Sequence, residues 1–229
     1  MSYFITGTDT GVGKTLISCA LLYAFAAQSK RVVGFKPVAS GCDDDDHNDD
    51  AKRLRASSNV QTTYGQVNPY CFVPPIAPHI AARHSAVRIE LKRILVSFGE
   101  LTSLAEEVIV EGAGGFLVPL NEIEDSADLA KELDLPIIVV VGVRLGCINH
   151  ALLTMRAIDY CGLKCAGWVA NVIDQNMPAL NENIESLRQR IDAPLIGIIP
   201  YQTITDAQAV AGMLDIGLLR KAEHLDLAE

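Results

Sequence analysis

The sequence predicts a doubly wound α/β fold, one mostly parallel sheet flanked by helices. Three observations carry that prediction. Short apolar runs alternate with segments of helical character along the chain, the order that builds a parallel sheet. One run, Ile137-Ile138-Val139-Val140-Val141, is apolar at every position, as suits a strand covered on both faces. The third is Gly7-Thr8-Asp9-Thr10-Gly11-Val12-Gly13-Lys14-Thr15, a glycine-rich turn between a strand and a helix.

That turn organises the rest. Tyr3-Phe4-Ile5 reads as the strand before it and Leu16 to Ala27 as the helix after it. Glycines let a backbone curl so that several N–H groups point inward, and a helix start adds unpaired donors and a positive dipole end. The result is a phosphate cradle, in which Lys14 reaches the terminal phosphates and the Thr15 hydroxyl sits on Mg²⁺. The spacing departs from the usual motif. Thr8 stands where the first glycine belongs, and Gly7 lies one residue earlier. The fold is therefore expected to be of the P-loop nucleotidase type, one domain over residues 1–229 with no internal repeat or linker.

The remaining elements follow in order. Arg31 to Lys36 reads as a strand stopped at Pro37, and Val38 to Cys42 as the loop leaving it. Ligands bind at that edge of an open parallel sheet, which makes Lys36 and Ser40 site candidates. The acidic run from Asp43 to Asp50 is expected to be a solvated, mobile loop, because adjacent carboxylates repel. One aspartate at its end, where a helix begins at Ala51, is placed to ligate Mg²⁺. The proline-rich stretch from Thr62 to Ala82 reads as a long ordered loop, and Val87 to Phe98 as a helix. Val108-Ile109-Val110-Glu111 is a strand ending in a carboxylate, followed by Gly112-Ala113-Gly114-Gly115; an acidic residue at such a strand end holds a metal in P-loop nucleotidases.

Asp125 is expected to cap a helix through Leu133, and Asn149 to cap one over Ala151 to Tyr160 that stops at Gly162. Cys165 to Asn171 is a strand ending in an amide that suits an adenine edge. Ala179 to Ile191 reads as a helix and Leu195 to Pro200 as the last strand. The tail from Thr205 is expected to be helical to about Leu219.

Composition narrows the class. Hydrophobic residues make up 49 % of the 229, enough for a sizeable core, and the net charge of -9 argues against a nucleic-acid partner. No CxxC pair occurs among the 6 cysteines, so buried free thiols and a reducing compartment are expected. Neither a secretory signal nor an apolar stretch long enough to span a bilayer is evident. A cytoplasmic protein is the expectation.

Several segments, in order, resemble the dethiobiotin synthetase family. They are Gly7 to Thr15, Lys36-Pro37-Val38-Ala39-Ser40-Gly41, Val67-Asn68-Pro69-Tyr70, Glu111 to Gly115, Val141-Gly142-Val143-Arg144-Leu145-Gly146-Cys147-Ile148-Asn149-His150 and Gly167-Trp168-Val169-Ala170-Asn171. The resemblance implies a ligase of biotin biosynthesis. CO₂ adds to one amine of 7,8-diaminopelargonate, ATP phosphorylates the carbamate, and the second amine closes the ureido ring. It implies Lys14 and Lys36 as catalytic residues, and Thr15, Asp50 and Glu111 as Mg²⁺ ligands, with Asp49 the alternative to Asp50. Gly11, Val12, Gly13, Lys14, Thr15 and Leu16 would wrap the ATP phosphates. Gly112, Ala113 and Gly114 would line the nucleotide site. Asn171, Val172, Pro200, Tyr201 and Gln202 would hold the adenine. Ser40 would contact substrate, and Gly146, Cys147, Ile148 and Asn149 would receive its carboxylate across a homodimer interface.

The rival reading is a P-loop switch ATPase of the partitioning type. Those carry a signature lysine early in the loop, and aligning on Gly11-Val12-Gly13-Lys14-Thr15 puts Asp9 there.

Overall fold

The computed structural model describes residues 2–43 and 47–219. The elements run β1 (Tyr3–Gly7), α1 (Lys14–Ala26), β2 (Val32–Phe35), β3 (Val38–Ser40), α2 (Asp49–Ser57), α3 (Tyr64–Val67), β4 (Tyr70–Phe72), α4 (Pro78–His84) and α5 (Leu91–Leu104). They continue with β5 (Glu107–Glu111), α6 (Ser126–Leu133), β6 (Ile137–Val143), α7 (Cys147–Tyr160), β7 (Cys165–Val172), α8 (Leu180–Arg188), β8 (Leu195–Ile199) and α9 (Ala207–Ala211).

Six strands form one sheet in the order β2-β5-β1-β6-β7-β8, with every neighbouring pair parallel. Successive strand residues face opposite sides, and the core divides accordingly. Tyr3, Ile5, Ile109, Ile138 and Val140 join α1 and α9 in one cluster. Phe4, Val108, Val110, Val139 and Val141 join α5, α6, α7 and α8 in the other. Helices thus cover both faces, which is the doubly wound arrangement. β1 lies between β5 and β6, so connections leave to either side of it and a crevice opens at its carboxyl end.

The continuous apolar run is β6, buried at all seven positions. Asp125 caps α6 as expected, accepting from the N–H groups of Ala127 and Asp128 while Asp128 returns the bond. Gly162 follows α7 with a φ of 70°, the left-handed stop expected of it.

Other expectations are corrected. The stretch from Thr62 to Ala82 is not a long loop: it contains α3, β4 and the start of α4. A capping box between Thr63 and Gln66 starts α3, and Pro78 occupies the first turn of α4. Val38 to Ser40 is not loop but β3, which pairs in parallel with β4. The helix expected from Val87 begins at Leu91, and α2 begins at Asp49 rather than Ala51. Asn149 does not cap α7. Gly146 does, with a φ of 94°, which leaves Asn149 within the first turn. The tail is not one helix to Leu219: α9 ends at Ala211, a turn follows, and residues 217–219 are helical again. Of the acidic run, residues 44–46 lie outside the described residues.

The expectation of free thiols also fails for one pair. Cys42 and Cys71 form a disulfide, with Cα atoms 6.2 Å apart, while Cys19, Cys147, Cys161 and Cys165 are free. The β3–β4 register makes this possible, because Ala39 opposes Cys71 and the N–H groups of Gly41 and Cys42 both donate to Phe72. The disulfide removes the argument from thiols to a reducing compartment. Among the described residues no helix is long and apolar enough to cross a membrane.

Candidate active site

The turn from β1 into α1 has the shape the glycines predict. Gly11 and Gly13 have φ values of 75° and 93°. At Gly13 even a Cβ would fall 2.2 Å from Asn171 Nδ2. That amide comes from the end of β7 and donates to Val12 O at 2.8 Å, so it clamps the loop from the side. On the other side Thr8 Oγ1 accepts from the Gly142 N–H at 3.3 Å, at the end of β6. Lys14 is the first residue of α1, and its ammonium donates to Asp9 O at 3.0 Å. Burial, and then the charge of Lys36, lower the Lys14 pKa to about 8, against the raising effect of Glu111, Asp50 and Asp9.

Two strand ends and one helix start meet opposite the loop. Glu111 ends β5 and is fully buried. Its Oε1 accepts from Thr15 Oγ1 at 2.8 Å and from Lys36 Nζ at 2.6 Å. Lys36, just past β2, also donates to Asp50 Oδ2 at 3.0 Å. Burial alone would lower the Lys36 pKa, but the Glu111 and Asp50 carboxylates outweigh it and hold it above the ordinary lysine value. Asp50 shows the reciprocal balance: burial raises its pKa, and Lys36 brings it below the usual carboxylate range.

A chain of hydrogen bonds sets Lys36 and Asp50 in place. Asn48 caps α2, accepting from the Asp50 and Ala51 N–H groups, and thereby fixes where Asp50 points. The Asn48 N–H donates to Tyr64 Oη at 2.7 Å, and that hydroxyl donates to Asn68 Oδ1 at 2.9 Å. Asn68 Nδ2 in turn donates to Lys36 O at 2.6 Å. α3 therefore links the two sides of the ion pair, and it lies in the stretch that the sequence presents as loop.

These groups border a cavity of about 410 Å³. Of the residues expected at the site it is lined by Gly11, Gly13, Lys14, Thr15, Leu16, Lys36, Asp50, Glu111, Gly114, Asn171, Val172, Tyr201 and Gln202. Val12, Gly112, Ala113, Pro200, Ser40 and Gly146 to Asn149 do not line it. Val12 is buried beneath the loop, where it packs against Gly142. Ser40 lies on β3, and its Oγ is buried with no hydrogen-bond partner. Asp49, the alternative metal ligand, is exposed and lines no part of the cavity. Thr10, Arg53, Ile173 and Thr205 line it as well, and sequence reading singled out none of the four as a site residue. Arg53 had a signal, since it falls three residues after Asp50 and so on the same side of α2.

The donor set suits Mg²⁺. Glu111 Oε2 is a buried carboxylate oxygen with no partner, beside the Thr15 hydroxyl and near Asp50. Few protein oxygens are needed, because Mg²⁺ keeps several waters and takes the rest of its shell from phosphates.

Comparison with known proteins decides the family. An ATP-dependent dethiobiotin synthetase BioD of Nitrosospira multiformis is 54 % identical over 214 residues, 93 % of this chain and 94 % of that protein. One of Aromatoleum aromaticum is 50 % identical over 93 % of this chain and 96 % of its own. The chain belongs to the dethiobiotin synthetase family. The family model described as an AAA domain also matches residues 1–209.

Solved structures agree on the fold. The septum site-determining protein MinD of Pyrococcus horikoshii, complexed with Mg-ADP, superposes with a TM-score of 0.53 at 17 % identity, over 99 % of this chain and 96 % of that one. A ParA family ATPase of Chlorobium tepidum gives 0.52 at 16 % identity, over 97 % of this chain and 98 % of that one. At such identities the likeness is one of fold alone. The site separates this dethiobiotin synthetase family member from the switch-ATPase reading: Asp9 stands where that reading needs a lysine, and its carboxylate is paired with Arg144.

Proposed function

We propose that this site makes dethiobiotin from 7,8-diaminopelargonate, CO₂ and ATP, and that the chain is an ATP-dependent cyclo-ligase of biotin biosynthesis. The observation that carries the proposal is the Lys36 ammonium, buried between Asp50 and Glu111 at the mouth of the phosphate loop. Attack by water alone does not call for a cation that holds a second anion against the γ-phosphate. A ligase that phosphorylates a carbamate does, because carbamate and phosphate are both anionic and must be brought together.

In this reading the backbone N–H groups from Gly11 to Leu16 bind the phosphates, and Lys14 neutralises charge on the phosphoryl group in flight. Lys36 holds the carbamate oxygens in line with the γ-phosphate. Ser40 supplies its unpartnered hydroxyl to the diamine. Asn171, Val172, Pro200, Tyr201 and Gln202 surround the adenine, with Gly112, Ala113 and Gly114 on the loop facing the phosphates. Thr15, Asp50 and Glu111 hold Mg²⁺, which when bound neutralises phosphate charge. Lys36 is held at the edge of that site by the Asp50 and Glu111 carboxylates, which fixes where its ammonium meets an anionic substrate.

We further propose a homodimer in which Gly146, Cys147, Ile148 and Asn149, at the start of α7, receive the substrate carboxylate of the partner's site. Leu145 precedes that start and Leu153 lies within α7; they are 86 % and 57 % exposed, apolar surface that a second copy would cover. A single domain working in the cytoplasm fits an enzyme that draws on ATP. Incubation with ATP, Mg²⁺, bicarbonate and the diamine tests the activity. Sedimentation of wild type against Leu153→Glu tests the dimer, with a monomeric variant expected.

A further inference from the structure

An acidic side chain in a phosphate loop is electrostatically adverse. Asp9 lies five residues before Lys14, in the loop that must receive a polyanion. Both of its carboxylate oxygens are engaged. Oδ1 accepts from the Thr10 N–H at 2.7 Å, and Oδ2 accepts from Arg144 Nη2 at 2.6 Å. Its carbonyl accepts from the Lys14 ammonium, so Asp9 also sets the resting position of the lysine. Arg144 comes from the turn between β6 and α7, whose strand end already holds Thr8 through the Gly142 N–H.

We infer that Arg144 is a positioning residue for nucleotide binding: it neutralises Asp9 and ties the first half of the phosphate loop to the start of α7. Two things the loop needs are thereby reconciled. The Asp9 carboxylate braces the turn through the Thr10 N–H, and Arg144 cancels the charge that bracing introduces. The Lys14 ammonium lies 3.0 Å from the Asp9 carbonyl, so the Asp9 charge sits beside the phosphate end of the site. The pair is half-exposed on both sides, so its effect is screened by salt.

The inference rests on Gly7 to Thr15 being a phosphate loop, and not on which amine the enzyme carboxylates. Its test is therefore ADP binding, measured by calorimetry at low and high ionic strength without diamine. Thermal unfolding of each variant checks that it is folded. Arg144→Met should weaken ADP about tenfold at low salt, because an uncancelled carboxylate then stands in the phosphate loop. Arg144→Lys should keep most of the affinity. The decisive variant is Asp9→Asn combined with Arg144→Met, which should recover affinity to within about threefold of wild type. High salt should shrink the Arg144→Met defect. Should the double variant bind as weakly as Arg144→Met, or Arg144→Met bind like wild type, the charge-cancelling role is wrong. Either result would leave the ligase reading standing, just as failure to form dethiobiotin would leave this one.

Discussion

The Lys36 ammonium lies 2.6 Å from Glu111 Oε1, and both side chains are almost wholly withdrawn from solvent. A pair of this kind is weak support for stability while intact, yet removing one partner strands the other. Lys36→Met should therefore lower the unfolding free energy by about 3 kcal/mol. Adding Glu111→Leu should return more than half of that loss. Urea titration of the three proteins checks the order.

The Lys14 pKa of about 8 lies below the ordinary value of 10.5. Between those values the unfolded chain holds a proton that the folded one has released. Unfolding free energy contributed by this residue should thus rise with pH across that window, and stay constant below about 8. Nucleotide binding behaves oppositely. Phosphates require the charged lysine, so ADP should be bound with proton uptake above pH 8, and its affinity should fall as pH rises. Calorimetry in buffers of different ionisation enthalpy reads that proton directly.

Tyr64 joins Asn48, which caps the Asp50 helix, to Asn68, which holds the Lys36 backbone. Tyr64→Phe deletes one oxygen and leaves the buried Asn48 N–H without an acceptor. A loss of about 1–3 kcal/mol in stability is expected. Turnover should also fall, since both ends of the Lys36–Asp50 pair lose support. Measured kcat should drop more than nucleotide affinity does.

Gly13→Ala meets two obstacles at once, a φ of 93° and a Cβ position 2.2 Å from Asn171 Nδ2. The expected result is a folded protein whose nucleotide affinity is lowered at least about tenfold, because the Asn171 clamp must move. A fluorescent ADP titration settles it. Combining Gly13→Ala with Asn171→Ala should not restore binding, since the backbone strain remains.

Long, strongly patterned segments were legible in the sequence. The apolar β6, the carboxylate at the end of β5 and the Asp125 cap all follow from local chemistry that tertiary contacts reinforce. What escaped was short or non-local. α3 and β4 span four and three residues, too few for any periodicity to register. The Cys42–Cys71 disulfide depends on the β3–β4 register, which no spacing reveals. Asn149 resembled a cap because its residue type favours one, but the start of α7 is a left-handed position three residues earlier, taken by Gly146. At the site, Lys36, Asp50 and Glu111 were identifiable singly. Their convergence, and the Asn48–Tyr64–Asn68 support beneath them, required the fold.

The most direct test of the central claim is dethiobiotin formation. The purified protein is incubated with ATP, Mg²⁺, bicarbonate and 7,8-diaminopelargonate, and the product is followed by mass spectrometry. Dethiobiotin and ADP should appear together, require the diamine, and be lost in Lys36→Ala while ADP binding persists. Steady ATP hydrolysis with the diamine left intact would contradict the account.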